Sequence, residues 1–326
     1  MANLRAIRTR IKSVENTRQI TKSMKMVAAS KLRKTQAAFA ALRAYADRSG
    51  EILKELTADW PRKNDPEGPD GTLSGIAREA DRGAAREPAR ETDAGTGADV
   101  WIVPHAQIRT VCYVLMVGNR GLCGTYNQAL LRYCENLINT SDKENYVISC
   151  GRWGKDLIAS AGITVRETFE ISDTPARGEA LELAERLKTL YREKIIDEIV
   201  VVYQHYRTVL SQEPTHMTLL PITEKRQDSP ATPPAKEDVI FEPDRESLLT
   251  ALLDMYISNT VHALLLEARC GEHSARMTAM TAAADNTEEL ISELTLELNH
   301  ARQAAITTEI SEIAGGAEAL RNSNPE

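Results

Sequence analysis

The chain has 326 residues, a net charge of -7, 42% hydrophobic and 27% charged residues, the composition of a soluble protein with room for one large or two ordinary domains. Its five cysteines, Cys112, Cys123, Cys134, Cys150 and Cys270, are odd in number and contain no C-x-x-C pair. They predict free thiols in a reducing compartment, and no histidine stands at ligand spacing from a cysteine pair to make a zinc site. No run of about eighteen apolar residues predicts a membrane span, and the basic N-terminus lacks the apolar core of a secretory signal.

The first element in chain order is a long helix over residues 1–60. From Asn3 to Asp59 there is no proline and one glycine, Gly50. Apolar residues recur at coiled-coil spacing at Leu4, Ile7, Ile11 and Val14, lapse at Arg18, Thr21 and Lys25, and return from Ala28 and Leu32 to Leu53 and Leu56. Across the lapse an adjacent face turns apolar, with Ile20, Met24 and Val27. Two readings are open, a change of packing partner and a local stutter of the coiled coil.

Residues 61–105 change character. Pro61, Pro66, Pro69, Pro88 and Pro104 stand among Gly, Asp, Glu and Arg with few apolar residues, so a disordered or loosely ordered insertion is expected, adding no core. Residues 106–222 then read as α/β. Strands are predicted over Ile108–Val117, Tyr146–Cys150 and Ile199–Tyr206, and an edge strand over His216–Ile222. Helices are predicted over Tyr126–Ile138, Trp153–Ala161 and Glu179–Tyr191. That alternation implies a mainly parallel sheet with crossover helices.

A Pro-rich, charged linker, residues 223–243, leads to a second long helix over 244–326, with Asp244 as its expected cap. The helix contains no proline up to Asn324 and three glycines, Gly271, Gly315 and Gly316. At about 1.5 Å per residue the two terminal helices are too long for the core of a chain of this size to enclose. They must pair with each other and project into something else. Residues 1–35 carry ten Lys/Arg against Glu15, and residues 285–326 carry nine acids against two arginines, so opposite charge favours an antiparallel pair and its register.

Evidence for chemistry in this chain is thin. Gly118-Asn119-Arg120-Gly121-Leu122-Cys123-Gly124 follows a predicted strand and precedes a helix, where phosphate-binding loops sit, but it lacks both the G-x-x-x-x-G-K-[ST] and the G-x-G-x-x-G order. Cys123 in that turn reads either as a thiol nucleophile or as a small buried side chain, with no histidine at an obvious partner position. The basic N-terminal segment also suits nucleic-acid binding, against which stand the acidic C-terminal helix and the low aromatic content, 5%.

Three motifs carry a family resemblance. Ile7-Arg8-x-Arg10-Ile11-x-Ser13-Val14-x-Asn16-Thr17, continuing Ile20-Thr21-Lys22-x-Met24-x-Met26-Val27-Ala28-Ala29-Ser30-Lys31, resembles the gamma subunit of F-type ATP synthase, bacterial type. The Arg120-Gly121-Leu122-Cys123-Gly124 turn and Ala301-Arg302-Gln303-Ala304-x-Ile306-Thr307-x-Glu309-x-x-Glu312-x-x-x-Gly316-Ala317 match it too, in the same order.

The resemblance implies a long antiparallel coiled coil of the terminal helices plus a Rossmann-like α/β foot domain. The coil is the rotor shaft inside a ring of three alpha and three beta subunits, and the foot lies beside the epsilon subunit and the membrane c-ring. Such a chain couples ion flow to the beta catalytic sites and regulates ATPase activity, and is itself non-catalytic, with no cofactor, no metal and no nucleic acid. Met24, Lys25, Arg302, Gln303 and Thr307 match positions that touch beta, and Phe241 and Glu242 match foot positions near the c-ring. The implied location is the cytoplasmic side of a bacterial plasma membrane, reached only through the complex, which the lack of a separable presequence favours. Two departures stand out. The 61–105 insertion is longer than the family's usual link, and Lys25 stands where some members carry an acid.

Overall fold

The structure, a computed structural model, describes residues 2–57, 97, 99–102, 104–105, 107–153, 158–159, 161–222 and 245–322. Helix α1 is Ala2–Thr57 and helix α5 is Arg245–Asn322. At about 1.5 Å per residue they are roughly 84 and 117 Å long. Between them lie α2 (Asp99–Ile102), β1 (Thr110–Leu115), α3 (Tyr126–Thr140), β2 (Glu144–Cys150), β3 (Val165–Phe169), α4 (Arg177–Arg192), β4 (Glu198–Tyr206) and β5 (Gln212–Leu220).

The five strands form one sheet in the order β3-β2-β1-β4-β5. β1 pairs in parallel with β2 and β4, β2 pairs in parallel with β3, and only the β4–β5 hairpin is antiparallel. Alternate residues of β1 serve two cores, as the period of a strand buried on both faces requires. Cys112 and Val114 pack with Ile199, Val201, Leu183 and Leu187 of α4, and Leu249 to Ala268 of α5. Val111, Tyr113 and Leu115 pack on the other face with Tyr126, Leu130 and Cys134 of α3. The foot is therefore three layers, and the lower half of α5 is one of them.

β3 was not anticipated. Its sequence, Val-Arg-Glu-Thr-Phe, alternates half-buried and exposed residues at the sheet edge, and its charged positions conceal the strand pattern. Gly271 does not interrupt α5, because it packs where a Cβ would stand 3.1 Å from the Tyr126 ring.

The insertion lies mostly outside the described residues, but its end does not. Trp101 and Ile102 are 4% and 9% exposed and join the core, which corrects the expectation of a segment that adds none.

Above the foot, α1 and α5 pair alone. Half-buried or buried residues of α1 follow a strict heptad: Leu4, Ile7, Ile11, Val14, Arg18, Thr21, Lys25, Ala28, Leu32 and Thr35. On α5 the matching seam is Met280, Ala284, Thr287, Ile291, Leu294, Leu298, Ala301 and Ala305. The lapse is therefore not a stutter, since the seam facing α5 keeps its register through it. The seam continues through polar residues, whose hydroxyls at Thr21 and Thr35 donate to the carbonyls of Arg18 and Lys31.

Opposite charge sets little of the register. Among the described residues the seam shows Arg18 and Lys22 near Glu288 at 3.8 and 3.9 Å, exposed pairs of small worth.

By length and composition α5 is apolar enough to cross a membrane, although half of its most apolar window is buried within the protein. Its apolar residues are those of a core helix of the foot.

Candidate functional site at the neck of the shaft

The glycine-rich turn, 118–124, sits at the carboxyl ends of the parallel strands, where open α/β sheets bind ligands. Here α5 fills that crevice. Arg269, Glu272 and Arg276 are 3%, 1% and 9% exposed and lie on one helix face at i, i+3 and i+7. Arg269 Nη1 donates to Glu272 Oε2 at 2.5 Å, and Arg276 Nη2 donates to Glu272 Oε1 at 2.6 Å. Arg269 also donates to the carbonyls of Val117 (3.4 Å) and Ile171 (3.0 Å) and to Asn119 Oδ1 (3.1 Å). Arg276 donates to the carbonyls of Arg120 and Gly121 at 3.1 and 3.4 Å.

Gly118 admits this approach, since a Cβ there would stand 2.9 Å from Glu272 Cδ. Its N–H donates to Asn127 Oδ1 at 2.8 Å, and Tyr126 Oη donates to the carbonyl of Ala268 at 2.8 Å. Burial favours the neutral form of Glu272, but the two guanidiniums outweigh it and hold the carboxyl below its usual range. The carbonyls of Val117, Arg120 and Gly121 thus face the arginines of α5, and the Gly118 N–H is taken by Asn127.

Cys123 is 2% exposed, and burial raises its pKa despite the neighbouring Arg276. The thiol reading is replaced by that of a small buried side chain. All five cysteines are free and buried. Among the described residues no group of three His, Cys, Asp or Glu could hold a metal ion.

A cleft of about 800 Å³ lies between α4 and α5. Two of the charges lining it are already engaged: Asp254 with Lys188 at 2.5 Å, and Arg192 over the Trp101 ring at 5.4 Å.

A second tie crosses from α1. Lys31 pairs with the Asp173 carboxylate, and His273 Nε2 donates to the Asp173 carbonyl at 2.9 Å, so one loop residue holds both long helices. Burial raises the Asp173 pKa, but Lys31 outweighs it and the net shift is down. Gln36 donates to Tyr206 Oη at 2.6 Å at the end of β4, toward the other edge of the sheet from β3. Sequence reading missed this network. The spacing of Arg269, Glu272 and Arg276 inside an apolar run was its one visible signal.

The candidate contact residues from the motifs are spread along the shaft. Met24 and Lys25 are half-buried, with Lys25 on the seam. Beside them Ile20 and Val27 are exposed and, with half-buried Met24, form a second apolar face on α1 that α5 does not cover. Arg302, Gln303 and Thr307 are exposed near the upper end of α5, and residues 306–318 are exposed throughout, Ile306, Ile310 and Ile313 among them. The structure brings neither group together with the other, because α1 and α5 are antiparallel and the positions lie at different heights. Phe241 and Glu242, and the expected cap Asp244, lie outside the described residues.

The fold and the site together define a protein of two long paired helices on an α/β foot, with α5 filling the crevice at the strand ends. A family profile described as ATP synthase matches residues 3–320. The ATP synthase gamma chain of Desulfitobacterium hafniense is 38% identical over 321 residues, 98% of this chain and 100% of that one. That of Moorella thermoacetica is 36% identical over 325 residues, covering 98% and 100%.

Among solved structures, a chain of the Euglena gracilis mitochondrial ATP synthase OSCP/F1/c-ring assembly has the same fold, with a TM-score of 0.62 at 19% identity, covering 99% of this chain and 96% of that one. A chain of that organism's ATP synthase rotor gives 0.58 at 18%, covering 94% and 99%. The chain belongs to the ATP synthase gamma chain family and is a non-catalytic subunit.

Proposed function

We propose that this chain is the rotor shaft of an F-type ATP synthase, turning with a membrane c-ring and driving the beta catalytic sites through their conformations by its asymmetry. The observation that carries this reading is the unpartnered top of the shaft. Residues 306–318 extend past the start of α1 as a single helix, with Ile306, Ile310 and Ile313 in solvent. Apolar stripes of this kind on a helix with no partner among the described residues mark an interaction surface. The surrounding ring is three alpha and three beta subunits, and the foot meets the epsilon subunit and the c-ring. The chains sharing its fold come from assemblies described as rotor and as OSCP/F1/c-ring, which supports this placement.

On this reading Met24, Lys25, Arg302, Gln303 and Thr307 face beta, with Ile20 and Val27 extending the lower contact, while Phe241 and Glu242 meet the c-ring. The chain sits on the cytoplasmic side of a bacterial plasma membrane and reaches the membrane only through the complex. The test is reconstitution of alpha and beta with and without the chain in ion-tight vesicles. Gradient-driven ATP formation should require it, and formation in its absence would refute the role.

A further inference from the structure

The neck cluster has a mechanical reading that goes beyond the rotor assignment and rests on it. We propose that Arg269, Glu272 and Arg276, together with Asp173, form a torsion collar: the joint through which turning force passes between the foot and the two-helix shaft. The position is the first argument. Below it, Leu249 to Ala268 of α5 are packed in the core of the foot. Above it, Met280, Ala284 and Leu294 are buried on the seam with α1. Residues 269–276 occupy the changeover, where a long helix leaves a rigid body and any twist concentrates.

The second argument is how many separate segments the collar grips at one level. Arg269 reaches the end of β1 through Val117, the glycine-rich turn through Asn119, and the segment after β3 through Ile171. Arg276 reaches the same turn at Arg120 and Gly121. Asp173, two residues past Ile171, holds α1 through Lys31 and α5 through His273. On the opposite side Ser274 Oγ donates to the carbonyl of Val209 at 2.6 Å, and Gln36 donates to Tyr206. Both helices are thus held from two sides of the foot at the same height.

The third argument is the choice of chemistry. Apolar packing resists separation but is non-directional, so it resists rotation of a helix about its own axis poorly. Planar guanidiniums bonded to several fixed carbonyls and one shared carboxylate define an angle. Stability alone does not call for the cluster, because hydrophobic replacement of a buried ion triad is often neutral or stabilising. Glu272, buried between two arginines and against Gly118, sets orientation instead.

The test uses the assembled complex with alpha and beta immobilised and a probe on the foot, comparing angular spread at each dwell during ATP-driven rotation. Two variants are compared with the natural chain: the combined Arg269→Met, Glu272→Leu, Arg276→Met replacement, and Arg276→Lys, which keeps the charge but loses the planar guanidinium. A Leu183→Ala variant, weakened in the foot core away from the collar, controls for stability. The collar predicts that both test variants rotate with a broadened dwell distribution, widest in the triple replacement, while Leu183→Ala keeps the natural width. Ion pumping against a gradient should fall more than hydrolysis.

Natural width in both test variants would overturn the proposal. If the triple replacement does not assemble, natural width in Arg276→Lys alone overturns it, and equal broadening in Leu183→Ala reduces the cluster to ordinary packing. Absence of rotation with the natural chain would instead count against the rotor reading itself.

Discussion

Gly151 tests whether the glycine-rich turn is a packing joint. It follows β2 with φ +135°, and an added Cβ would stand 2.4 Å from the Val117 carbonyl oxygen and 2.9 Å from that of Gly118. Both obstacles are backbone, so no side chain can swing away. Gly162, φ +77°, is its control, because nothing lies within 4 Å of a Cβ there.

Gly162→Ala should cost only left-handed backbone strain, about 1–2 kcal/mol. Gly151→Ala adds overpacking of about 1–3 kcal/mol, for a total of about 2–5 kcal/mol. At about 2–4 °C per kcal/mol, the first variant should lower Tm by roughly 2–8 °C and the second by roughly 4–20 °C. The displaced Val117 and Gly118 are also the partners of Arg269 and Glu272, so Gly151→Ala should loosen α5 at the neck.

The assay is thermal unfolding followed by circular dichroism, with hydrogen exchange at residues 264–276 as a local readout. Equal Tm values for the two variants, with unchanged exchange on α5, would refute the reasoning.

Three further outcomes are expected. Ala284 is 4% exposed on the α5 seam, and Ala284→Pro should break the rod there at about 3 kcal/mol or more, seen as a lower Tm; unchanged stability would contradict a continuous helix. Ile20→Asp with Val27→Asp should leave the Tm of the chain nearly unchanged, within about 0.5 kcal/mol for each exposed site, yet weaken capture of alpha and beta in a pull-down. Natural capture would remove this face from the proposed contact.

The third concerns pH. Burial lowers the pKa of His273 despite the nearby Asp173 and Glu272, with Arg276 adding to the fall, so the folded protein keeps it neutral. The unfolded chain binds that proton at about pH 6.5, so stability is full above that value and declines as pH falls through it toward the folded pKa. Asp173 and Glu272, both lowered, add a second loss as pH falls through the ordinary carboxylate range near 4. Tm measured from pH 7.5 to 5 should fall, and His273→Gln should flatten the upper part of that fall.

The long helices were legible because their signals are local. An absence of proline and a heptad stripe need no knowledge of the partner, and both helices appear, as Ala2–Thr57 and Arg245–Asn322. The sheet was legible where strands are buried on both faces, as in the apolar run of β1. It was not legible at β3, where Arg166 and Glu167 sit on a half-exposed edge and Glu167 is spent on Arg186 at 2.6 Å.

The lapse in the α1 stripe did not show that the seam facing α5 runs on through polar side chains. Thr21 stays on it, 8% exposed, by bonding its own helix. The neck could not be read in advance, since Lys31 and Asp173 are 142 residues apart and nothing in either neighbourhood announces the other. The proposed beta-facing positions were reached through motif resemblance alone, because Arg302 and Gln303 are exposed and show no hydrogen bond or ion pair among the described residues.

The most direct measurement is single-molecule rotation of a complex of this chain with alpha and beta, with a probe on the foot. The account predicts stepwise, ATP-driven turning in one direction that stops when ATP is withdrawn. A complex that hydrolyses ATP at full rate while the foot stays still would contradict it.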